Sequence, residues 1–118
     1  MAAEDAKERL AILQGTLDVL ILRTLILGPR HGQGIARAIQ TTSHDELLVE
    51  HGALYPALQR LESRGWINAE WGTSDNNRKA RFYTLTKSGR AHLTRESNRW
   101  LRLANAMARV LGHEGHKS

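Results

Sequence analysis

Apolar residues recur at spacings of three and four along four stretches of the chain, a pattern typical of helices that bury one face. The first stretch predicts a helix from Glu4 to Leu27, which Gly28-Pro29 ends and in which Gly15 is a weak point. The second stretch predicts a short helix over residues 31–39, and the polar residues 40–46 predict a turn after it.

The third stretch is a stripe of three leucines, Leu54, Leu58 and Leu61, on a helix that Gly65 ends. Pro56 lies within this helix, in either its first or its second turn. In the first turn a proline costs little, because those N–H groups have no intrahelical partner, whereas deeper it kinks the helix. The sequence leaves the two positions open.

Two short runs with strand character follow this helix, at residues 66–71 and 81–85, and a polar turn that ends in cations joins them. The apolar run at residues 47–49 is a candidate for a third strand. A helix followed by a hairpin with a cationic tip is the arrangement of a recognition helix and a wing. We therefore predict the α+β class: a winged helix-turn-helix, mostly helical, with a small antiparallel β-wing and a long C-terminal helix.

The fourth stretch predicts that last helix from Lys87 to about Leu111, with Thr86 as its N-cap and Gly112 as its C-cap. Its apolar stripe is longer than a small sheet and three helices can cover, so we predict that it forms a dimer interface. The predicted interface residues are Leu93, Trp100, Leu103, Met107 and Val110.

With 118 residues, 41% of them apolar and 25% charged, the chain fits a folded soluble protein with one core. Within it we assign residues 1–89 to a winged-helix DNA-binding domain with its N-terminal helix, 90–112 to a C-terminal dimerisation helix and 113–118 to a flexible tail. Cysteine is absent, the N-terminus lacks the pattern of a secretion signal, and residues 17–27 are too short and too polar to span a bilayer. We therefore expect a cytoplasmic protein.

Charge is unevenly placed along the chain. Residues 1–59 carry five Lys or Arg against seven Asp or Glu, a net −2, and residues 60–118 carry twelve against five, a net +7. The basic excess begins in the predicted recognition helix and continues through the wing, which favours a polyanionic partner. No predicted helix combines a cationic face with a bulky aromatic face, which disfavours a membrane surface.

Neither the histidines nor the hydroxyl residues form a catalytic or metal-binding pattern. His113 and His116 are three residues apart, but a transition-metal site needs three or four convergent ligands. The adjacent Ser43, His44 and Asp45 cannot form a relay, whose members normally come from separate parts of a chain. Since no nucleotide-binding fingerprint is present either, we predict no enzyme activity, no metal and no cofactor.

Residues of the recognition helix that lie off the leucine stripe are free to meet DNA. Gln59 can bond to adenine edges, and Arg60 to guanine edges or phosphate. Two alternatives stay open: Arg60 as a solvated arginine paired with Glu62, and Tyr55 as an aromatic at the edge of the core. The predicted DNA-contacting set on this helix is His51, Gly52, Ala53, Tyr55, Pro56, Gln59 and Arg60, with Glu50 at its entry.

On the wing, the cationic turn is predicted to meet backbone phosphates or the minor groove. The predicted contacts are Asn76, Asn77, Arg78, Lys79 and Arg81. The alternative is an ordinary soluble hairpin loop, which the shortage of acids in this turn disfavours. We assign Trp66 and Trp71 to the base of the wing and the core.

The segment from His31 to Gly89 resembles the PadR family of bacterial transcriptional repressors, which are winged-helix proteins. The resemblance is carried by His-Gly-Gln-Gly-Ile at 31–35, Gly-x-Leu-Tyr-Pro-x-Leu-x-Arg-Leu-Glu at 52–62, Gly-x-Ile at 65–67, and Arg-Lys at 78–79 leading into Phe-Tyr-x-Leu-Thr-x-x-Gly at 82–89. Gln33 and Phe82 stand where the family often has tyrosine, and both substitutions are mild.

The resemblance implies a homodimer whose last helices pack on each other's chains, and whose recognition helices enter successive major grooves of a palindromic double-stranded operator. Trp100 is then either an anchor of the dimer interface or, as in some members of the family, a stacking platform for a flat apolar effector. We therefore predict a dimeric transcriptional repressor that binds specific DNA and is relieved by a small molecule. The alternative is a winged-helix protein-interaction module that binds no DNA.

Overall fold

A computed structural model describes residues 14–112, which form four helices and a three-stranded sheet. In chain order the elements are α1 (Gln14–Thr24), β1 (Arg30–His31), α2 (Gly32–Thr42), α3 (His51–Ser63), β2 (Ile67–Thr73), β3 (Lys79–Leu85) and α4 (Lys87–Val110). The part of the predicted first helix that precedes residue 14, and the predicted tail at 113–118 with its two histidines, lie outside the described residues.

The sheet is antiparallel, with strand order β1-β3-β2. Pairing of β2 with β3 runs from Ile67 opposite Leu85 to Thr73 opposite Lys79, so both strands of the hairpin are longer than predicted at the wing tip. The prediction of a third strand at residues 47–49 is wrong. The third strand of the sheet is β1, which pairs with β3 over two residues, whereas Val49 is buried in the core.

Helices α1, α2 and α3 pack around a single core that the base of the hairpin closes. The leucine stripe of α3 is fully buried, as its spacing predicted, since Leu54, Leu58 and Leu61 are at most 1% exposed. Leu93 on α4 is also buried in this core, because the start of α4 packs on α1. The prediction that Leu93 contacts a partner chain is therefore wrong.

Side chains of β1 bond to the C-terminal end of α1 and to the N-terminal end of α2. Helix α1 ends at Thr24, three residues earlier than predicted, and Nε of Arg30 donates to the carbonyl of Thr24 at 2.9 Å. Nδ1 of His31 accepts from the N–H of Gly34 at 3.1 Å and caps the start of α2. Helix α2 continues to Thr42, through the first residues of the predicted turn.

The recognition helix predicted from the leucine stripe is α3, and Pro56 is its sixth residue. The second-turn position is therefore the correct one, and because proline has no N–H, the carbonyl of Gly52 has no intrahelical donor. Helix α3 ends in a Schellman motif, in which the N–H of Trp66 donates to the carbonyl of Leu61 at 3.0 Å. Gly65 has a φ of 75°, which only glycine adopts readily, and this confirms the predicted stop.

Thr86 ties the end of α3 to the start of α4. Its hydroxyl donates to the carbonyl of Gly65 at 2.7 Å and accepts from the N–H of Gly89 at 3.0 Å, which confirms the predicted N-cap. A Cβ atom on Gly89 would overlap the carbonyl oxygen of Trp66, so glycine is needed for α4 to approach this closely. The base of the hairpin is therefore anchored to the recognition helix.

Helix α4 runs for 24 residues, a length of about 36 Å, and carries its apolar stripe past the core. Trp100 is 46% exposed and Val110 is 85% exposed, and Leu103 and Met107 are also exposed. Gly112 follows the helix with a φ of 85°, in agreement with the predicted end.

Within the described residues, no helix is long and apolar enough to cross a membrane. In the same part of the chain, no three His, Asp or Glu side chains lie close enough together to hold a metal ion.

Candidate nucleic-acid interface

The face of α3 opposite the leucine stripe is open to solvent. It carries six of the seven residues predicted to meet DNA. Gly52 has nothing within 4 Å of the position that a Cβ would take, so a ligand can approach the backbone closely here. The exposed members are His51, Gly52, Ala53, Tyr55, Pro56 and Gln59.

Tyr55 is half-buried against the first turn of α2. A Cβ atom on Gly32 would lie only 2.8 Å from the Tyr55 hydroxyl oxygen, so this glycine makes room for the tyrosine ring. The ring also meets that of His51 edge-on, with centroids 6.0 Å apart. Tyr55 is thus an aromatic at the edge of the core, which was one of the two alternatives, and its 43% exposure leaves part of it available to a ligand.

Arg60 does not belong to the exposed face. Its Nη2 donates to Oδ1 of Asp18 on α1 at 2.8 Å, and Asp18 is only 7% exposed. The Nε of Arg60 is also buried, and no atom of residues 14–112 accepts a hydrogen bond from it. The structure thus opposes the prediction that Arg60 contacts DNA, because its charge is committed to a buried acid on another helix.

The tip of the wing is a five-residue loop between β2 and β3. Its ends are joined by a hydrogen bond from the N–H of Ser74 to the carbonyl of Arg78, at 2.7 Å. Asn77 has a φ of 61°, in the left-handed region that asparagine tolerates better than most residues. Asn76, Asn77 and Arg78 are exposed at this tip, where the sequence placed them.

Lys79 and Arg81 lie on β3 rather than in the turn. Lys79 is exposed, whereas Nη2 of Arg81 donates to Oε2 of Glu62 on α3 at 3.2 Å. This ion pair is a second tie between the wing and the recognition helix. It also offsets part of the charge that the sequence assigned to DNA contact.

A groove of about 690 Å³ lies between the exposed face of α3, the start of α2 and the hairpin. We call it the helix–wing groove. It brings together three of the seven residues predicted on the recognition helix and four of the five predicted on the wing, whereas His51, Gly52, Ala53, Arg60 and Asn77 do not line it. Helix α3 contributes Tyr55, Pro56, Gln59 and Glu62, and the hairpin contributes Trp71, Asn76, Arg78, Lys79, Arg81 and Tyr83.

The three tryptophans differ in their environments. Trp66 is half-buried at the base of the wing and stacks on His92, with centroids 3.6 Å apart and an interplanar angle of 11°. Trp71 is 64% exposed in the helix–wing groove, so its assignment to the base of the wing and the core is wrong. The ring lies 5.5 Å from Nζ of Lys79, within cation–π distance.

Tyr83 lies deeper, where the floor of the groove meets the core. Burial raises the pKa of its phenol above the ordinary value of 10.0, and the nearby charge of Arg81 opposes this shift. The phenol is therefore neutral at physiological pH. Among the residues that line the groove, Arg78, Lys79 and Arg81 carry positive charge and Glu62 is the one acid.

A helix with an open polar face, followed by a hairpin with a cationic tip, is the arrangement typical of winged-helix DNA-binding proteins. Residues 21–95 match the Transcriptional regulator PadR-like family, which is more than half of the chain. The protein belongs to this family, as its motifs predicted, and is therefore a transcriptional regulator.

Solved structures agree with this assignment. A PadR family transcription regulator from Clostridium difficile R20291 is 28% identical with a TM-score of 0.69, and the match covers 81% of this chain and 98% of that one. A transcriptional regulator from Clostridium thermocellum has the same fold, with 24% identity and a TM-score of 0.73, and the match covers 84% of this chain and 95% of that one.

A sequence relative is also found. An uncharacterised protein of Lysinibacillus sphaericus is 30% identical over 89 residues, which are 75% of this chain and 82% of that protein.

Proposed function

We propose that the protein is a transcriptional repressor that binds a palindromic operator as a homodimer and is released by a small apolar effector. It would act in the cytoplasm, where bacterial operators are found. The observation that carries this proposal is the helix–wing groove. It places an amide that can read bases, Gln59, beside wing cations that suit phosphates.

The exposed stripe of α4 supports the dimer. Trp100, Leu103, Met107 and Val110 are all at least 46% exposed, on a helix that extends past the core. Burying such a stripe against a second copy removes its apolar area from water. A twofold dimer also presents two recognition helices, which suits half-sites one DNA turn apart, roughly 34 Å.

The effector part of the proposal rests on one side chain of α4. Its support is the indole of Trp100, which is half-exposed within the stripe that two copies would share. A flat apolar molecule could stack on this ring and change how the two copies fit together. Such a molecule would act on the spacing of the recognition helices without touching DNA.

A selection on randomised operators tests the DNA-binding part of the proposal. Wild type should enrich a palindrome, and Gln59→Ala should change the preferred base at one position of each half-site. The double variant Arg78→Ala with Lys79→Ala should bind all sequences more weakly without changing the preference, because the wing cations meet phosphate.

The matched control is Lys87→Ala with Arg90→Ala, which removes the same charge from two exposed residues outside the helix–wing groove. It should weaken binding much less than the wing variant does. If wild type enriches no sequence and binds no duplex at roughly 50 mM salt, where phosphate contacts are strongest, the protein-interaction alternative is favoured instead.

A further inference from the structure

Trp71 is more exposed than expected for a large aromatic residue on the core-facing side of the sheet. Side chains at every second residue of a strand share one face of the sheet. Ala69, opposite Tyr83, lies on the face that packs on the core at the base of the hairpin. Two residues further along, the same face carries Trp71 opposite Arg81, and there it is 64% exposed.

Trp71 lies on β2, an edge strand of the sheet that pairs with β3 along its whole length. The other face of the sheet is closed by Phe82, whose ring would be 2.9 Å from a Cβ atom on Gly72. The ring of Phe82 in turn meets that of His31 edge-on, at 5.5 Å between centroids. The paired strand thus presents a large aromatic ring to the helix–wing groove, where no residue of 14–112 covers most of its surface.

Two cations lie within cation–π distance of the Trp71 ring, and of these Arg81 also pairs with Glu62. Nζ of Lys79 lies 5.5 Å from its centroid and Cζ of Arg81 lies 5.9 Å from it. Free lysine and arginine side chains lose much rotamer entropy when they bind a ligand. Cation–π contact removes part of that cost in advance, and it strengthens when the site is desolvated.

We propose that Trp71 contacts the DNA backbone and positions Lys79 on a phosphate next to it. This inference rests on the proposed function, since it assigns DNA as the occupant of the helix–wing groove. Charge complementarity supports that occupant: Arg78, Lys79 and Arg81 line the groove against a single acid, Glu62, which Arg81 already pairs. The sugar edges of the backbone would cover the exposed ring.

The test is the salt dependence of operator binding by Trp71→Leu and Trp71→Phe. Fluorescence anisotropy would be measured on the operator selected by wild type, between about 50 and 200 mM salt, where each phosphate contact adds about 0.9 to the slope of log affinity against log salt. Trp71→Leu should lose roughly three- to tenfold in affinity, consistent with one or two exposed cation–π contacts. Its slope should be shallower by about one per subunit, whereas Trp71→Phe should keep most of the slope.

Leu27→Ala is the matched control, because it removes an exposed apolar side chain outside the helix–wing groove and should change neither quantity. A Trp71→Leu protein with the wild-type slope would overturn the proposal, whatever its affinity. A change in its self-association without DNA would also overturn it, because the surface would then meet a second copy. Absence of any binding by wild type would instead count against the proposed function.

If Trp71→Leu fails to fold, tryptophan fluorescence provides a second test of the proposal. Titration with operator should change the tryptophan emission of wild type, and Trp71→Phe should lose most of that change because the ring that DNA covers is gone. Equal changes in the two proteins would overturn the proposal, since the signal would then come from Trp66 or Trp100.

Discussion

Arg60 distinguishes two models of the recognition helix, and replacing it by methionine decides between them. As a base-reading residue it would change operator preference when removed and leave stability intact. As the partner of Asp18 it would do the reverse, because its removal leaves a carboxylate that is only 7% exposed without its cation. Methionine keeps the length and volume of the arginine stem, so the lost charge is the main change.

The size of the effect follows from the burial of the pair. Removing one partner of a fully buried pair costs about 3–5 kcal/mol. The side chains here are 27% exposed for Arg60 and 10% for Asp18, so solvent screens the pair in part. We therefore expect Arg60→Met to lower the free energy of unfolding by about 2–3 kcal/mol. For a domain of this class that corresponds to a fall in Tm of roughly 10 °C.

Urea denaturation, together with selection on randomised operators, provides the assay. Asp18→Leu alone should cost a similar amount, and the double variant with Arg60→Met should cost clearly less than the two single changes added together. Gln59→Ala is the neighbouring control: it is exposed, and it should change base preference at little cost in stability. If Arg60→Met keeps the wild-type stability and alters the preferred base, the reasoning from the Asp18 pair is refuted.

Two further predictions concern α4. Trp100→Ala should dissociate the dimer and lower operator affinity although Trp100 does not contact DNA, since truncating an aromatic that is buried in an interface costs about 3–5 kcal/mol. In sedimentation, the control Leu48→Ala, which changes an exposed apolar residue outside α4, should behave as wild type does. A wild-type chain that is monomeric at about 50 μM would contradict the dimer. Burial lowers the pKa of His92 below its ordinary value of 6.5, and Glu96 opposes this shift. Because the folded state then favours the neutral ring, this contribution to stability should be complete above pH 6.5 and should fall as the pH drops below 6.5. His92→Gln should flatten this dependence of Tm between about pH 7.5 and 5, and an unchanged profile would show that other groups cause it.

Patterns within a few residues of sequence predicted the faces of α3 and the ends of two helices. The spacing of Leu54, Leu58 and Leu61 predicted both the buried face of α3 and its open face. Gly65 and Thr86 were identified as helix ends because their conformational and capping preferences act within a few residues.

Partners distant in sequence could not be predicted in this way. Asp18 and Arg60 are 42 residues apart, and no pattern within α3 shows that one of its off-stripe side chains turns towards α1. Strand β1 has only two residues, too few for any periodicity. Trp71 was assigned by its hydrophobicity, although the period of two that places Ala69 on the core face puts Trp71 on the same face, further out.

These distant pairs change what the net charge means. The +7 of residues 60–118 already sets Glu62 against Arg81, but it counts Arg60 as free although Asp18, which lies outside that segment, pairs with it. On the wing, the cations without an acid partner among the described residues are Arg78 and Lys79, so each carries a larger share of the phosphate contact than the charge count implies. The same pairs fix α3 to α1 and the hairpin to α3, so part of the positive charge of this surface serves to hold the recognition helix and the wing at a set angle.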